Sequence, residues 1–91
     1  MEIKWTKRAS QNFDSILSHI ATDNQIAAKK FMLDTLAKVS HLESFPLFGR
    51  AGIVPLTREL VIHENYIVYY RIKNNEIIEI LRVLHVRRKY P

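Results

Sequence analysis

Apolar residues recur at three- and four-residue spacing through the first half of the chain, a pattern typical of amphipathic helices. We predict one helix within residues 6–22, with Thr6 as its N-cap, and a second from Gln25 to about Leu42. Asp23 or Asn24 can cap the second helix. Helices joined by so few residues form an antiparallel hairpin. The apolar stripes are Ala9, Phe13, Ile16, Leu17 and Ile20 in the first helix and Ala28, Phe31, Met32, Thr35, Leu36, Val39 and Leu42 in the second.

The second half of the chain has the pattern of β-strands. The runs TRELVIH (57–63), YIVYYRI (66–72) and EIIEILRVLH (76–85) are rich in β-branched and aromatic residues. They are separated by EN and KNN, which have the length of hairpin turns. The last run is apolar on both faces, so we expect it inside the sheet. The alternating segment EIKW (2–5) is expected to pair with its free edge.

The helices and strands are joined by a segment, residues 43–56, that holds both glycines and two of the three prolines. It is predicted to be a loop that wraps the edge of the core, anchored by Phe45 and Phe48. The resulting order is β-α-α-β-β-β. This order predicts an α+β fold, with a two-helix hairpin packed on a twisted, mainly antiparallel sheet. At 91 residues, the chain is expected to form one domain, 1–91.

Positive charge is concentrated at the C-terminus. The chain has 14 Lys and Arg against 9 Asp and Glu, a formal charge of +5. No acidic residue follows Glu79, whereas Arg82, Arg87, Arg88 and Lys89 do. This asymmetry favours a polyanionic partner, and the alternative is a solvated basic terminus. We expect the basic segment 86–91 to leave the sheet beside the loop that carries Arg50.

Several classes of site are not expected. The chain has no cysteine, which excludes disulfides and cysteine-ligated zinc. The four histidines lack metal-ligand spacing, and no glycine-rich phosphate loop occurs, so we predict neither a metal nor a cofactor. The segment MEIKW lacks an apolar leader, and no run approaches the roughly 18 residues of a membrane helix. We therefore expect a cytoplasmic protein without a membrane partner.

Each predicted strand after the loop carries one arginine near an end. Arg82 interrupts the most apolar strand, so it needs a carboxylate partner such as Glu59 or Glu79, or a face open to solvent or a ligand. His85, which ends that strand, is placed for acid–base chemistry or for a hydrogen bond that closes the core edge. Period-two alternation puts Arg58 on one face with Leu60 and Ile62, Arg71 with Ile67 and Tyr69, and Arg82 with Ile78, Ile80 and Leu84.

Three long segments of the chain carry a recognisable pattern: WTKRASQNFDSILSHIATDNQIAAKKF, FPLFGRAGIVPLTRELVIHENYIVYYRI and IEILRVLHVRRKYP. Together they resemble the ParE branch of the RelE/ParE toxin superfamily, the toxins of type II toxin–antitoxin modules. The resemblance covers nearly the whole chain and implies two helices on a twisted antiparallel sheet. Its most specific pieces are Pro46-x-x-Gly49-Arg50, TREL at 57–60, Tyr66 with Tyr69 or Tyr70 and Arg71, and ILRVLH followed by basic residues and a terminal proline.

The resemblance implies two competing activities. ParE-like proteins inhibit DNA gyrase, whereas RelE-like proteins cut mRNA on the ribosome. Ribonuclease members tend to carry basic residues where this chain has Val61, Ile62 and Ile67, so inhibition of gyrase is the favoured hypothesis, without a catalytic site. A member that only binds its antitoxin is a third possibility. If the chain were a ribonuclease, its site residues would be Arg58, Arg82, His85, Arg87 and Tyr90.

The resemblance also implies a cognate antitoxin. Its acidic C-terminal segment would cover the toxin, and its N-terminal domain, of ribbon-helix-helix or similar type, would bind operator DNA. The toxin would reach the operator only through the antitoxin. Apolar residues around Trp5, Phe13 and Ile20, the open sheet face, or strand addition at the 57–63 edge could accept the segment. The residues predicted to bind the target or the antitoxin are Arg50, Arg58, Arg71, Arg82, Arg87, Arg88, Lys89, Trp5 and Phe13.

Overall fold

The computed structural model describes residues 1–88 and 90, and it confirms the α+β fold. Its sheet has the order β1-β5-β4-β3-β2. As predicted, β1 pairs with the free edge of β5, and it does so in parallel, while the other pairs are antiparallel. The elements are β1 (Glu2–Trp5), α1 (Lys7–Asp23), α2 (Gln25–His41), β2 (Arg50–Ala51), β3 (Thr57–His63), β4 (Tyr66–Lys73) and β5 (Ile77–His85).

Side-chain caps set both helix starts. The Thr6 hydroxyl accepts a hydrogen bond from the Ala9 N–H at 3.1 Å and donates one to the Ile80 carbonyl at 2.8 Å. It therefore begins α1 and ties that beginning to β5. The side-chain oxygen of Asn24 accepts a hydrogen bond from the Ala27 N–H at 3.0 Å. Because Asn24 is the single residue between α1 and α2, it is the cap that reverses the chain.

The main core lies between the helices and one face of the sheet, which we call the helix face. Both predicted helical stripes point into this core, except that Leu36 is 41% exposed. The opposite face of the sheet we call the open face. It holds a smaller buried cluster of Ile67, Tyr69 and Leu84, so the strands are apolar on both sides, as expected. Members of the main core include Ala9, Phe13, Phe31, Val39, Leu42, Leu60, Val68, Tyr70, Ile78, Ile80 and Val83.

The C-terminal segment does not leave the sheet as predicted. The Val86 N–H donates to the Asn65 carbonyl at 2.8 Å, and the Arg88 N–H donates to the His85 carbonyl at 2.9 Å, which closes a turn directly after β5. Tyr90 then lies over the open face and stacks on Tyr69, with 5.1 Å between ring centroids and 20° between planes. Burial of an aromatic face drives this return, and it explains why Tyr69 is only 6% exposed.

A β-bulge in β5 changes the face of the sheet to which the following side chains point. Tyr70 pairs with Ile80, but Tyr69 pairs with Arg82, so Leu81 is an extra residue on β5. Beyond the bulge, side chains are shifted by one position. Leu84 accordingly lies in the open-face cluster, whereas Ile80 lies in the main core. The prediction that Arg82 shares a face with Ile78 and Ile80 is therefore wrong, because an argument from strict alternation does not account for an inserted residue.

Arg82 has an amide partner instead of the predicted carboxylate. Its Nε donates to the side-chain oxygen of Asn12 at 2.8 Å, and the Val83 N–H donates to the same oxygen at 3.3 Å. Asn12 thus joins α1 to β5 just past the end of β1. The ion pair proposed with Glu59 or Glu79 does not form, because each of those carboxylates bonds a different arginine.

The loop after α2 is anchored by the buried hydroxyl of Tyr70. This hydroxyl donates to the Pro46 carbonyl at 2.7 Å and accepts from the Gly49 N–H at 2.9 Å. A Cβ at Gly49 would lie 2.7 Å from the Tyr70 ring and hydroxyl, so only glycine fits there. The Pro46-x-x-Gly49 spacing is therefore explained by one tyrosine on β4.

Phe45 and Phe48 do not anchor the loop, contrary to the prediction. They are 56% and 64% exposed, and both lie against the ring of His41, with centroids 4.6 and 5.1 Å away. The loop also contains a strand that its composition did not predict. This strand, β2, pairs with β3 over Arg58 and Glu59.

Strand β3, whose outer side was predicted to be a free edge, is less available for strand addition than expected, because β2 lies outside it. The β2 pairing covers Arg58 and Glu59, and the Gly52 N–H donates to the Thr57 carbonyl at 2.8 Å. The ammonium of Lys38 bonds the Ile62 carbonyl at 2.8 Å. The edge from 57 to 63 is thus partly covered at both ends, which disfavours the addition of a partner strand along its full length.

Across residues 1–88 and 90, no helix combines the length and apolar character needed to cross a membrane.

Replacing Tyr70 with phenylalanine is expected to loosen the loop. The change removes both hydrogen bonds and leaves the Gly49 N–H buried without an acceptor, which should lower the free energy of unfolding by about 1–3 kcal/mol. Urea denaturation measures the loss. Tyr69→Phe is the matched control, since its hydroxyl bonds nothing among the described residues, and the loss should be much smaller. Equal losses in the two variants would contradict the anchoring role.

Replacing Asn12 with leucine should destabilise the fold by about 1.5–3 kcal/mol, because the Arg82 guanidinium then lacks its acceptor. Combining it with Arg82→Met should recover part of that loss, since both partners become apolar. A double-mutant cycle from thermal or urea unfolding gives the coupling free energy. Strictly additive losses would show that the two side chains are not energetically coupled.

Candidate functional site

The open face carries two ion pairs on either side of Tyr69. The Arg50 Nε lies 2.9 Å from a carboxylate oxygen of Glu59, and the Arg71 Nε lies 2.6 Å from one of Glu79. Each pair joins directly opposed residues of neighbouring strands. Burial, and then the Glu59 charge, raise the pKa of Tyr69, so its hydroxyl stays neutral. Both arginines keep roughly half of their side-chain surface exposed, so they remain accessible to a partner.

Arg82 is the most buried charge of the predicted site, at 7% exposure. Desolvation lowers its pKa, and the positive charges of Arg8 and Arg88 lower it further. Arg82 therefore belongs to a positive corner where the start of α1 meets the end of β5. Because an uncompensated positive corner attracts anions, this corner favours an acidic partner. Arg8 was not among the predicted site residues, since its position in the sequence gives no sign of this contact.

Arg58 lies on the other side of the sheet. It is opposite Tyr70 and points to the helix face, as its alternation with Leu60 predicts. Its Nε is buried and has no hydrogen-bond partner among the described residues. Burial raises the pKa of Tyr70, while the Gly49 N–H and the Arg58 charge act in the opposite direction. Arg58 is thus separated by the sheet from the arginines of the open face.

His85 and the basic residues after it lie at the end of the sheet. The His85 ring packs edge-on against Tyr66 at 5.3 Å, and its Nδ1 accepts a hydrogen bond from the Arg87 N–H at 3.1 Å. Arg88 and His85 line a groove of about 280 Å³ against α1, which also contains His19. Lys89 lies outside the described residues, so its predicted binding role stays a prediction.

The structure does not bring the five candidate ribonuclease residues into one site. Arg58 pairs with Tyr70 and His85 with Tyr66, four residues apart along β4, which corresponds to about 13 Å of strand. Arg82 and Tyr90 lie on or around the open face instead. A phosphate could therefore not contact all these groups at once.

The two predicted aromatic binding residues differ in access. Trp5 and Phe13 stack with centroids 5.4 Å apart. Phe13 is 7% exposed and belongs to the core, whereas Trp5 is partly exposed. Only Trp5 offers a surface that a partner can reach without opening the core.

One surface was missed by the sequence reasoning. Ile26, Leu33 and Leu36 are 84%, 54% and 41% exposed and lie along α2 away from the core; we call them the α2 outer stripe. Spacings of seven and three residues place them on one side of a helix. The signal was present in the sequence, because α2 has more apolar positions than one buried stripe can use. Exposed apolar residues aligned in this way make the stripe a candidate interaction surface.

Among residues 1–88 and 90, no group of three or more histidine, aspartate or glutamate side chains is arranged to hold a metal ion.

Comparisons with known proteins agree with this architecture. A family model described as "ParE toxin of type II toxin-antitoxin system, parDE" matches residues 3–90. The chain is 37% identical over 90 residues to a Sinorhizobium fredii protein named "Putative toxin Y4kP", covering 98% of this chain and 92% of that protein.

A solved structure gives the same result for the fold. The chain superposes with a TM-score of 0.82 and 29% identity on a chain of the "Chromosomal ParDE TA system from P. aeruginosa", covering 94% of this chain and 96% of the other. The family match spans nearly the whole chain and includes both the Tyr70-anchored loop and β5. The chain therefore belongs to the ParE toxin family of type II toxin–antitoxin systems.

Proposed function

We propose that this ParE-family toxin inhibits DNA gyrase by binding it and is neutralised by a cognate antitoxin. The observation that supports inhibition by binding is the environment of the Arg82 side chain. An arginine that stabilised a scissile phosphate would need its guanidinium free to face the substrate. Here the guanidinium is buried and bonded to Asn12. Binding, and not hydrolysis, is the activity that this arrangement supports.

The separation of the other candidate groups supports the same conclusion. General acid–base cleavage of RNA requires a proton donor, a proton acceptor and groups that bind the phosphate. All of them must lie within hydrogen-bond reach of the same bound substrate. Arg58 and His85 are on the helix face, while Tyr90 stacks on the open face. The exposed arginines Arg50 and Arg71 are instead distributed over a surface wide enough for a protein partner.

The antitoxin is proposed to bind along the α2 outer stripe. The similar P. aeruginosa chain comes from a ParDE toxin–antitoxin system, which favours an antitoxin partner here as well. An amphipathic antitoxin segment would cover the three exposed apolar side chains of the stripe, and the formal charge of +5 would attract an acidic tail. A separate groove of about 520 Å³ at the start of α2, with Ile20, Phe31 and Ile62 in its lining, offers the segment a second apolar surface.

The rest of the proposed assembly follows from an antitoxin of this kind. Its N-terminal domain, of ribbon-helix-helix or similar type, would bind operator DNA, so that the toxin contacts the operator only through it. The two partners would act in the cytoplasm, where gyrase works on the chromosome.

A supercoiling assay tests the inhibitory activity. Purified chain added to DNA gyrase and relaxed plasmid should block supercoiling in a dose-dependent manner, because the bound protein stops the enzyme's cycle. The same preparation added to translating ribosomes should leave mRNA intact. Codon-aligned mRNA cleavage that is lost in Tyr90→Phe, with supercoiling untouched, would replace the gyrase hypothesis with a RelE-type mRNA interferase. Inactivity in both assays, and normal growth when the chain is expressed alone, would leave antitoxin binding as its only role.

Leu33→Gln is expected to weaken antitoxin binding by roughly tenfold, since loss of one contacted leucine side chain removes about 1–2 kcal/mol of apolar burial. Calorimetric titration with the antitoxin encoded beside the toxin gene measures this. The control is Val61→Thr, because Val61 is similarly exposed, at 48%, but lies on the open face. Unchanged affinity in Leu33→Gln would show that the antitoxin binds elsewhere.

A further inference from the structure

Two aliphatic side chains project into solvent from the segment between β2 and β3. Ile53 and Leu56 are each 90% exposed, more than any other large apolar residue described in the chain. Val54 and Pro55 lie between them, so residues 53–56 form a continuous apolar surface, which we call the apolar tip. Single exposed leucines are common on proteins, but an uninterrupted exposed apolar segment on a loop indicates a contact surface.

Leu56 also has a backbone conformation that leucine disfavours. Its φ is +67°, in the left-handed region. The other two non-glycine residues with positive φ in the described part of the chain are Asn74 and Asn75, in the turn between β4 and β5. Asparagine tolerates this region, whereas leucine is disfavoured there by steric contacts of its Cβ. Leu56 therefore combines a disfavoured backbone conformation with an exposed apolar side chain.

The apolar tip is held rigid by its neighbours. The Gly52 N–H donates to the Thr57 carbonyl at 2.8 Å, and the Thr57 hydroxyl donates to the Val54 carbonyl at 2.6 Å. A Cβ at Gly52 would clash with the Thr57 hydroxyl, so this close packing of the two ends of the turn requires glycine. A surface fixed in this way loses little conformational entropy when it binds.

Two cations lie on one side of the base of the apolar tip: Lys73, which forms no ion pair among the described residues, and Arg71, which is paired with Glu79. A groove of about 480 Å³ runs beneath it, between Val54–Thr57 on one side and Arg71 and Lys73 on the other. Tyr90 closes one end. Among the described residues, no acidic side chain lines this groove. A partner surface that receives the tip would therefore be apolar in the middle and acidic at its rim.

We propose that the apolar tip inserts into a preformed apolar pocket with an acidic rim on the toxin's target protein. This inference rests on the proposed function, and it names the part of the chain that engages gyrase. A rigid projection requires a concave pocket in a folded partner. A flexible antitoxin tail, in contrast, requires a groove or stripe on the toxin to lie along, as α2 offers. The shape of the apolar tip therefore assigns it to the target and not to the antitoxin.

The test uses purified full-length chain and purified DNA gyrase. Leu56→Asn keeps a residue that accepts the left-handed backbone while removing the apolar side chain, so its thermal midpoint should equal or exceed that of the wild type. The concentration needed for half-inhibition of supercoiling should rise at least about tenfold, as for a central contact residue. Ile53→Asn, at a position without strain, should do the same. Val86→Asn is the matched control, since Val86 is also exposed, at 44%, in a different turn, and it should inhibit like the wild type.

The outcomes separate the two hypotheses. If the wild-type chain does not inhibit gyrase, the proposed function fails. If the wild type inhibits and both tip variants inhibit equally well, the tip inference fails while the proposed function stands. Sedimentation with phosphatidylglycerol vesicles would overturn the tip inference if the wild type binds them and Leu56→Asn does not, because the tip would then be a membrane contact. A dimer of the wild type that both tip variants abolish would likewise assign the tip to a second copy of the chain.

Discussion

The hydrogen bonds of the Tyr70 hydroxyl hold together the parts of this protein that we propose to face its partners. Tyr70 is fully buried on β4, yet its hydroxyl reaches both ends of the Pro46–Gly49 segment. Because Gly49 is fixed, Arg50 begins β2 in register with β3. That register places Arg50 on Glu59 and sets where the chain turns back at the apolar tip. A single buried polar group thus determines the position of a charged pair and of an apolar projection, and it does so at low energetic cost because both of its hydrogen bonds are made.

The bulge at Leu81 has a comparable effect at the other end of the sheet. Without the extra residue, Arg82 would point into the main core, where no partner could offset its charge. With it, Arg82 turns to the edge that β1 leaves open, and Asn12 on α1 reaches it. The amide orients the guanidinium but does not neutralise it. The Arg82 charge therefore still contributes, with Arg8 and Arg88, to the positive electrostatic potential of this corner. The positive corner is thus a consequence of the way β5 pairs with β4.

The elements of the fold could be predicted from the sequence because each depends on local pattern. The helical stripes, the Thr6 cap, the hairpin turns and the pairing of β1 with β5 follow from spacing and from the burial of β5 on both faces. The bulge, the two-residue strand β2 and the return of Tyr90 could not be predicted, since they depend on which strand neighbours which. The predictions for the site residues depended most on this unpredicted strand pairing. A carboxylate partner was one of two expectations for Arg82, but both candidate carboxylates bond other arginines across the sheet.

The two proposed surfaces differ in a way that follows from what each must do. An antitoxin that must release its toxin is best held by several modest interactions, such as those of the exposed apolar side chains of the α2 outer stripe. Inhibition of a target has to persist, which favours a preorganised contact. Such a contact loses little conformational entropy on binding, so less of the binding free energy is offset. The apolar tip fits this proposed role, since Leu56 already has its left-handed backbone conformation in the free protein. Strain kept at a contact position is tolerable only because the core and the Tyr70 anchor stabilise the rest of the fold.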